Sequence, residues 1–217
     1  MKKILSMYLG LMFAVAAPVV HAEMQEPDEL IKNAAQEVLA IVKQDREIQA
    51  GSQSKVFELV DAKVVPHFNF TRMTRLAVGK HWRTATPQQK QSLETEFRNM
   101  LVRTYTKAFT AYRDQVIEIK PLKIPAGANE VTVKTLIVKP GTPSIPVDYD
   151  MEKTADGWKV FDLIIEGVSL VTNYRSTFAQ QIQQSGIDGL IKTLADKNRK
   201  AAQSGNKIEP GNKADAK

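Results

Sequence analysis

The chain has 217 residues, with 30 Lys and Arg against 24 Asp and Glu, for a formal charge of +6. The basic residues are scattered, without an aromatic-interleaved stripe. This mild basicity suits contact with an acidic surface and does not indicate nucleic acid. The absence of cysteine excludes disulfides, thiolate nucleophiles and zinc–thiolate sites together.

The first 22 residues, MKKILSMYLGLMFAVAAPVVHA, have two lysines, an uncharged apolar stretch and small residues before Glu23. That order describes a secretory signal peptide cleaved after Ala22, since the apolar run is short for a membrane span. Residues 27–45 carry Leu30, Ile31, Ala34, Val38, Leu39 and Val42 at helical spacing, with Pro27 near the start. Residues 52–68 read as a second helix ended near Pro66, and residues 70–79 as a third with Gly79 as C-cap. Thr86, Pro87 and Gln89 form an N-cap, a first-turn proline and a T-x-x-Q capping box. The long helix they open carries Leu93, Phe97, Met100, Leu101, Tyr105, Ala108, Phe109 and Tyr112 on one stripe.

The period then changes to two. Residues 116–124, 130–139, 145–153 and 157–165 read as four strands of an antiparallel meander. On the third, Ile145, Val147, Tyr149 and Met151 alternate with acids. On the fourth, strict alternation puts Trp158, Val160, Asp162 and Ile164 on one face and Phe161, Leu163 and Ile165 on the other. Helices over about 168–185 and 187–200 follow, parted by Gly186. A polar, Lys-rich tail over 201–217 reads as disordered. The fold class is segregated α+β, and residues 23–200 form one domain.

No catalytic set emerges. Ser52-Gln53-Ser54-Lys55 matches S-x-x-K but lacks the partner motifs of that enzyme class, and Gly167-Val168-Ser169 lacks the second glycine of a nucleophile elbow. His67 and His81 lack metal-ligand spacing, so no metal site is expected. Asp162 and Glu166 lie at a strand-to-helix transition, where they read as partners for buried backbone or an arginine. Asn69 of the sequon Asn69-Phe70-Thr71 reads as a cap.

The most specific pieces are Gly79-x-x-Trp82, Ala85-Thr86-Pro87-x-Gln89, Trp158-Lys159-Val160-x-Asp162, Glu166-Gly167-Val168-Ser169-Leu170 and Asn173-Tyr174-Arg175. Together they resemble the toluene-tolerance family, the MlaC-type component of the Mla phospholipid transport pathway, over most of residues 27–197. The resemblance implies a periplasmic carrier in a Gram-negative bacterium. It would shuttle phospholipid between an inner-membrane ABC transporter complex and an outer-membrane lipoprotein–porin complex, and so maintain outer-membrane lipid asymmetry. It implies a monomer with phospholipid as cargo, no cofactor and no enzymatic activity. It also implies an NTF2-like fold, a curved antiparallel sheet on a long helix, with added N- and C-terminal helices enclosing an apolar cavity. The stripes place Trp82, Leu101, Tyr105 and Phe109 on the helical side of that cavity. Val147, Tyr149, Met151, Val160 and Leu163 fall on the sheet side. A lipid-acting secreted hydrolase and a closed-core scaffold are the competing classes. Exposed cations such as Lys90, Arg98 and Arg103 are expected to steer docking on acidic partners.

Overall fold

The computed structural model describes residues 24–111 and 115–203, without the side chains of residues 106–111. The expected signal peptide, Tyr112 and residues 204–217 lie outside the described residues.

Helix α1 (Pro27–Gln44) buries Leu30, Ile31, Val38 and Val42, which is the stripe its spacing requires. Asp45 then accepts from the backbone N–H groups of Glu47 and Ile48, opening the short helix α2 (Arg46–Gln49). Helix α3 (Gln53–Lys63) ends earlier than its apolar pattern suggests, and a 3-10 turn over Val65–His67 carries Pro66. The Asn69 carboxamide oxygen accepts from Arg72 N at 2.9 Å and caps helix α4 (Phe70–Val78), the role expected for it. Helix α5 (Pro87–Ala111) opens on the expected capping box. Gln89 N donates to Thr86 Oγ1 at 3.1 Å and Thr86 N donates to Gln89 Oε1 at 3.0 Å.

The sheet runs in the order β1-β2-β3-β4-β5 and is antiparallel throughout. Its strands are β1 (Val116–Ile119), β2 (Glu130–Val138), β3 (Ile145–Thr154), β4 (Gly157–Ile165) and β5 (Val168–Ser169). β1 stops short of the expected residue 124. Beyond Lys120, whose N–H still reaches Lys134 O, Pro121 has no N–H for the ladder. β5 is a fifth strand where a helix start was expected. Glu166 and Gly167 both take positive φ, 51° and 82°, which turns the chain back as a two-residue hairpin. Helix α6 (Leu170–Gln203) follows, broken by the non-helical Gly186 at φ 72°.

Strict alternation fails on β4. The β3–β4 register pairs Asp150 with Asp162 but Met151 with Val160, leaving Phe161 as an extra residue. One inserted residue reverses the sidedness of everything after it. Trp158 and Val160 therefore share a face with Leu163 and Ile165, not with Asp162 and Ile164.

Candidate functional site

With the bulge included, cross-strand pairs define one almost wholly apolar sheet face. It carries Ile117 and Ile119 from β1, Val131, Val133 and Ile137 from β2, and Ile145, Val147, Tyr149 and Met151 from β3. Trp158, Val160, Leu163 and Ile165 come from β4. Thr135 on this face is buried and donates to Val147 O at 2.7 Å, and Lys153, paired with Trp158, is its charged member. Leu30 and Ile31 of α1 cover one end, packing with Val133, Met151, Trp158 and Val160. At the other end Ile117, Ile137, Ile145 and Ile165 are only half-buried. Val116 and Val168, 60% and 56% exposed, stand at the same end on the two outer strands.

A second apolar body lies among the helices. Met73, Ala77 and Val78 of α4, Leu93, Phe97 and Leu101 of α5, and Phe178, Ile182, Leu190 and Leu194 of α6 are buried together with Phe161. Phe97 meets Tyr174 and Phe178 edge-on, with centroids 5.3 and 5.1 Å apart. Burial raises the Tyr105 phenol above its ordinary value, with Tyr174 adding to the shift, and burial alone raises Tyr174.

Eight of the nine residues singled out in the sequence divide between these bodies. Leu101 is buried in the helical one, with Trp82 and Tyr105 half-buried against it. Met151 and Val160 are buried on the sheet, with Tyr149 and Leu163 half-buried beside them; Val147 is buried on the same face. Phe109 lies on α5, and its side chain is outside the described residues. The structure thus supplies two sets of apolar groups, one among the helices and one on the sheet, joined by Phe68, which packs on both. Two surface cavities lie elsewhere. One, ≈ 620 Å³, is lined by Phe68, Phe70, Glu94, Arg98 and Lys159 among others. The other, ≈ 330 Å³, lies beside Glu26, Lys153 and Trp158. Neither is lined by any of the nine residues.

The polar groups near the β4–α6 junction have structural partners. Asp162 accepts from Leu163 N at 2.8 Å, from Val171 N at 3.1 Å and from the Ser169 hydroxyl, so it anchors the start of α6. Arg175 Nε donates to Leu76 O at 2.8 Å and satisfies the end of α4. Lys55 of the S-x-x-K stretch pairs with Glu58 at 3.1 Å on the surface. The cations expected to steer docking are also engaged within the chain. Arg98 pairs with Asp61, Arg103 lies 5.0 Å over Phe57, and Lys90 lies 5.6 Å from the Trp82 ring. Among the described residues no cluster of His, Cys, Asp and Glu could hold a metal ion. No helix among them is long and apolar enough to cross a membrane.

Four likenesses bear on this arrangement. The family profile described as "MlaC protein" matches residues 32–196. Toluene tolerance protein ttg2D of Pseudomonas putida is 26% identical over 187 residues, 85% of this chain and 86% of its own. The intermembrane phospholipid transport system binding protein MlaC of Haemophilus influenzae is 23% identical over 158 residues, 68% of this chain and 73% of its own. Among solved structures, a phospholipid-binding protein from Ralstonia solanacearum, determined in complex with a phospholipid, superposes with a TM-score of 0.77. It is 36% identical, and the match covers 82% of this chain and 99% of that one.

Proposed function

Because the chain belongs to the MlaC protein family, matched from residue 32 to residue 196, we propose that it is a phospholipid carrier of the periplasm. It would take lipid between an inner-membrane ABC transporter complex and an outer-membrane lipoprotein–porin complex. The observation that carries this reading is the likeness to the phospholipid-bound Ralstonia protein, at 36% identity across nearly the whole of that chain. The apolar sheet face supports it independently. That face continues beyond the cover of α1 as a half-buried strip suited to acyl chains.

The physical need is plain. Two acyl tails hold roughly 30 methylenes, each worth about 0.8 kcal/mol when removed from water, a gross cost on the order of 20 kcal/mol for a free lipid. A carrier must match the bilayer, not exceed it, so that loading and unloading stay close to neutral. The tails would lie between Trp82, Leu101, Tyr105 and Phe109 on the helices and Val147, Tyr149, Met151, Val160 and Leu163 on the sheet. Such a monomeric carrier needs no cofactor and no catalytic group. The partners of Asp162 and Ser169 support that reading over a hydrolase, since their hydrogen bonds are spent on the α6 start.

A titration of delipidated protein with a fluorescent phosphatidylcholine tests the proposal. Unlabelled two-tailed phospholipids of different head groups are expected to compete alike, and one-tailed analogues poorly. Tight selection of one head group with tails irrelevant would contradict it.

A further inference from the structure

The apolar sheet face is graded along its strands. At one end Ile117, Ile137 and Ile145 form a half-buried row. The next row holds Ile165 and, paired with it on β5, Val168, which is 56% exposed. Tyr149 and Leu163 follow, again half-buried. Beyond them Met151 and Val160 are each 0% exposed, and Trp158 is 4% exposed. The change has a cause in α1, which lies against β1 and β2. Leu30 and Ile31, near its start, are the two buried members of the Met151, Val160 and Trp158 cluster that come from outside the sheet. Glu130 and Glu152 alternate with Val131 and Met151 and so point to the other face. There Arg72 of α4 donates to them at 2.7 and 2.6 Å.

We infer that Leu30 and Ile31 are the stop that limits how long an acyl tail this chain accepts. The tails enter from the Ile145 end and finish against Met151 and Val160. The inference rests on the carrier reading above and adds the length of the cargo to it. From Ile145 to Tyr149 the strand rises about 13 Å, at ~3.4 Å per residue. The tails of one leaflet span about 15 Å, half of a hydrocarbon core of ~30 Å. The strip short of the stop is therefore about as long as the tails of an ordinary bilayer lipid. A longer tail must lift Leu30 and Ile31 off a closely packed sheet end, or leave its last methylenes in water. Lys153, exposed and paired with Trp158, lies past the stop, so methylenes gain nothing by reaching it. Up to the stop, each methylene is sheltered equally in the bilayer and in the protein. Past it the bilayer alone still gains, by about fourfold in the exchange equilibrium per methylene.

Competition among tail lengths tests this. Delipidated protein is incubated with vesicles holding equal amounts of mono-unsaturated phosphatidylcholines with tails of ~14 to ~24 carbons, lengths that bracket the leaflet depth. Bound lipid is read by mass spectrometry. For the wild type, bound proportions should be level among the shorter tails and fall about fourfold per added methylene past a break. Leu30→Ala and Ile31→Ala should each move the break to longer tails by about one or two carbons, the room that the lost side chain leaves. A merely structural pair of side chains would lower the melting temperature and leave the break in place. That result, in alanine variants with native circular dichroism, overturns the stop. If neither alanine variant folds, Ile31→Val decides: a break moved by about one carbon supports the stop, and an unmoved break overturns it. Protein that takes up no phosphatidylcholine of any length overturns the carrier reading and the stop with it. Uptake without a break, or with one break shared by every folded variant, overturns the stop alone.

Discussion

Asp162→Ala isolates a structural role for the most enzyme-like group in the chain. The Asp162 carboxylate is 8% exposed and accepts from Val171 N, Leu163 N and the Ser169 hydroxyl. Alanine leaves the Val171 N–H, in the first turn of α6, without its side-chain acceptor, and Val171 itself is 2% exposed. A buried donor left unpaired costs about 1–3 kcal/mol, and a lost cap about 1 kcal/mol. With the Ser169 hydroxyl also released, the expected loss is about 3 kcal/mol. At about 2–4 °C per kcal/mol for a domain of this size, the melting temperature should fall by about 6–12 °C. Asp162→Asn is the sharper control. One carboxylate oxygen, Oδ1, accepts both backbone bonds, so an amide oxygen can replace it, and the amide N–H can donate to Ser169 Oγ. Its cost should stay near 1 kcal/mol. Differential scanning calorimetry of the three proteins reads the result. An alanine variant as stable as wild type, or an asparagine variant as damaged as alanine, would refute the reasoning.

Thr86→Ala removes one half of the capping box and should cost about 1 kcal/mol, read from the denaturant midpoint at unchanged m-value. Ultraviolet titration should find the Tyr105 and Tyr174 phenols ionising above their ordinary value of 10.0. Their raised native pKa means the native state holds these protons more tightly; this contribution is whole below pH ~10 and is lost as pH rises above it. Ordinary titration of every tyrosine would show that burial wrong. Val147→Trp adds bulk beside Thr135 and Ile165 at a cost of about 1–3 kcal/mol. It should lower lipid occupancy with far-UV circular dichroism intact, and unchanged occupancy would remove Val147 from the lining.

Much of the fold was readable because its signals are local. Thr86, Pro87 and Gln89 sit within four positions, and both halves of their capping box form. The apolar stripe of α1 and the turn at Gly157 are equally short-range. What escaped depends on pairing. The bulge at Phe161 is a property of the β3–β4 register, so strict alternation put Leu163 and Ile165 on the wrong side relative to Val160. β5 is two residues long, below any period. Arg72 is unremarkable in sequence because its carboxylate partners lie 58 and 80 positions away. Arg98 and Arg103 looked free because their partners, Asp61 and Phe57, are likewise distant in sequence. The proposed lining was legible only as a set of apolar positions. Core residues and candidate lining obey one alternation, and only the third dimension separates Leu101, packed among the helices, from Met151, packed on the sheet.

The most direct measurement is organic extraction and mass spectrometry of lipid from the chain purified without detergent. The carrier account predicts intact two-tailed phospholipid at close to one molecule per chain, chemically unaltered after prolonged incubation. Protein that carries no phospholipid, and takes up none from vesicles, would contradict it; hydrolysed lipid would replace the carrier with an enzyme.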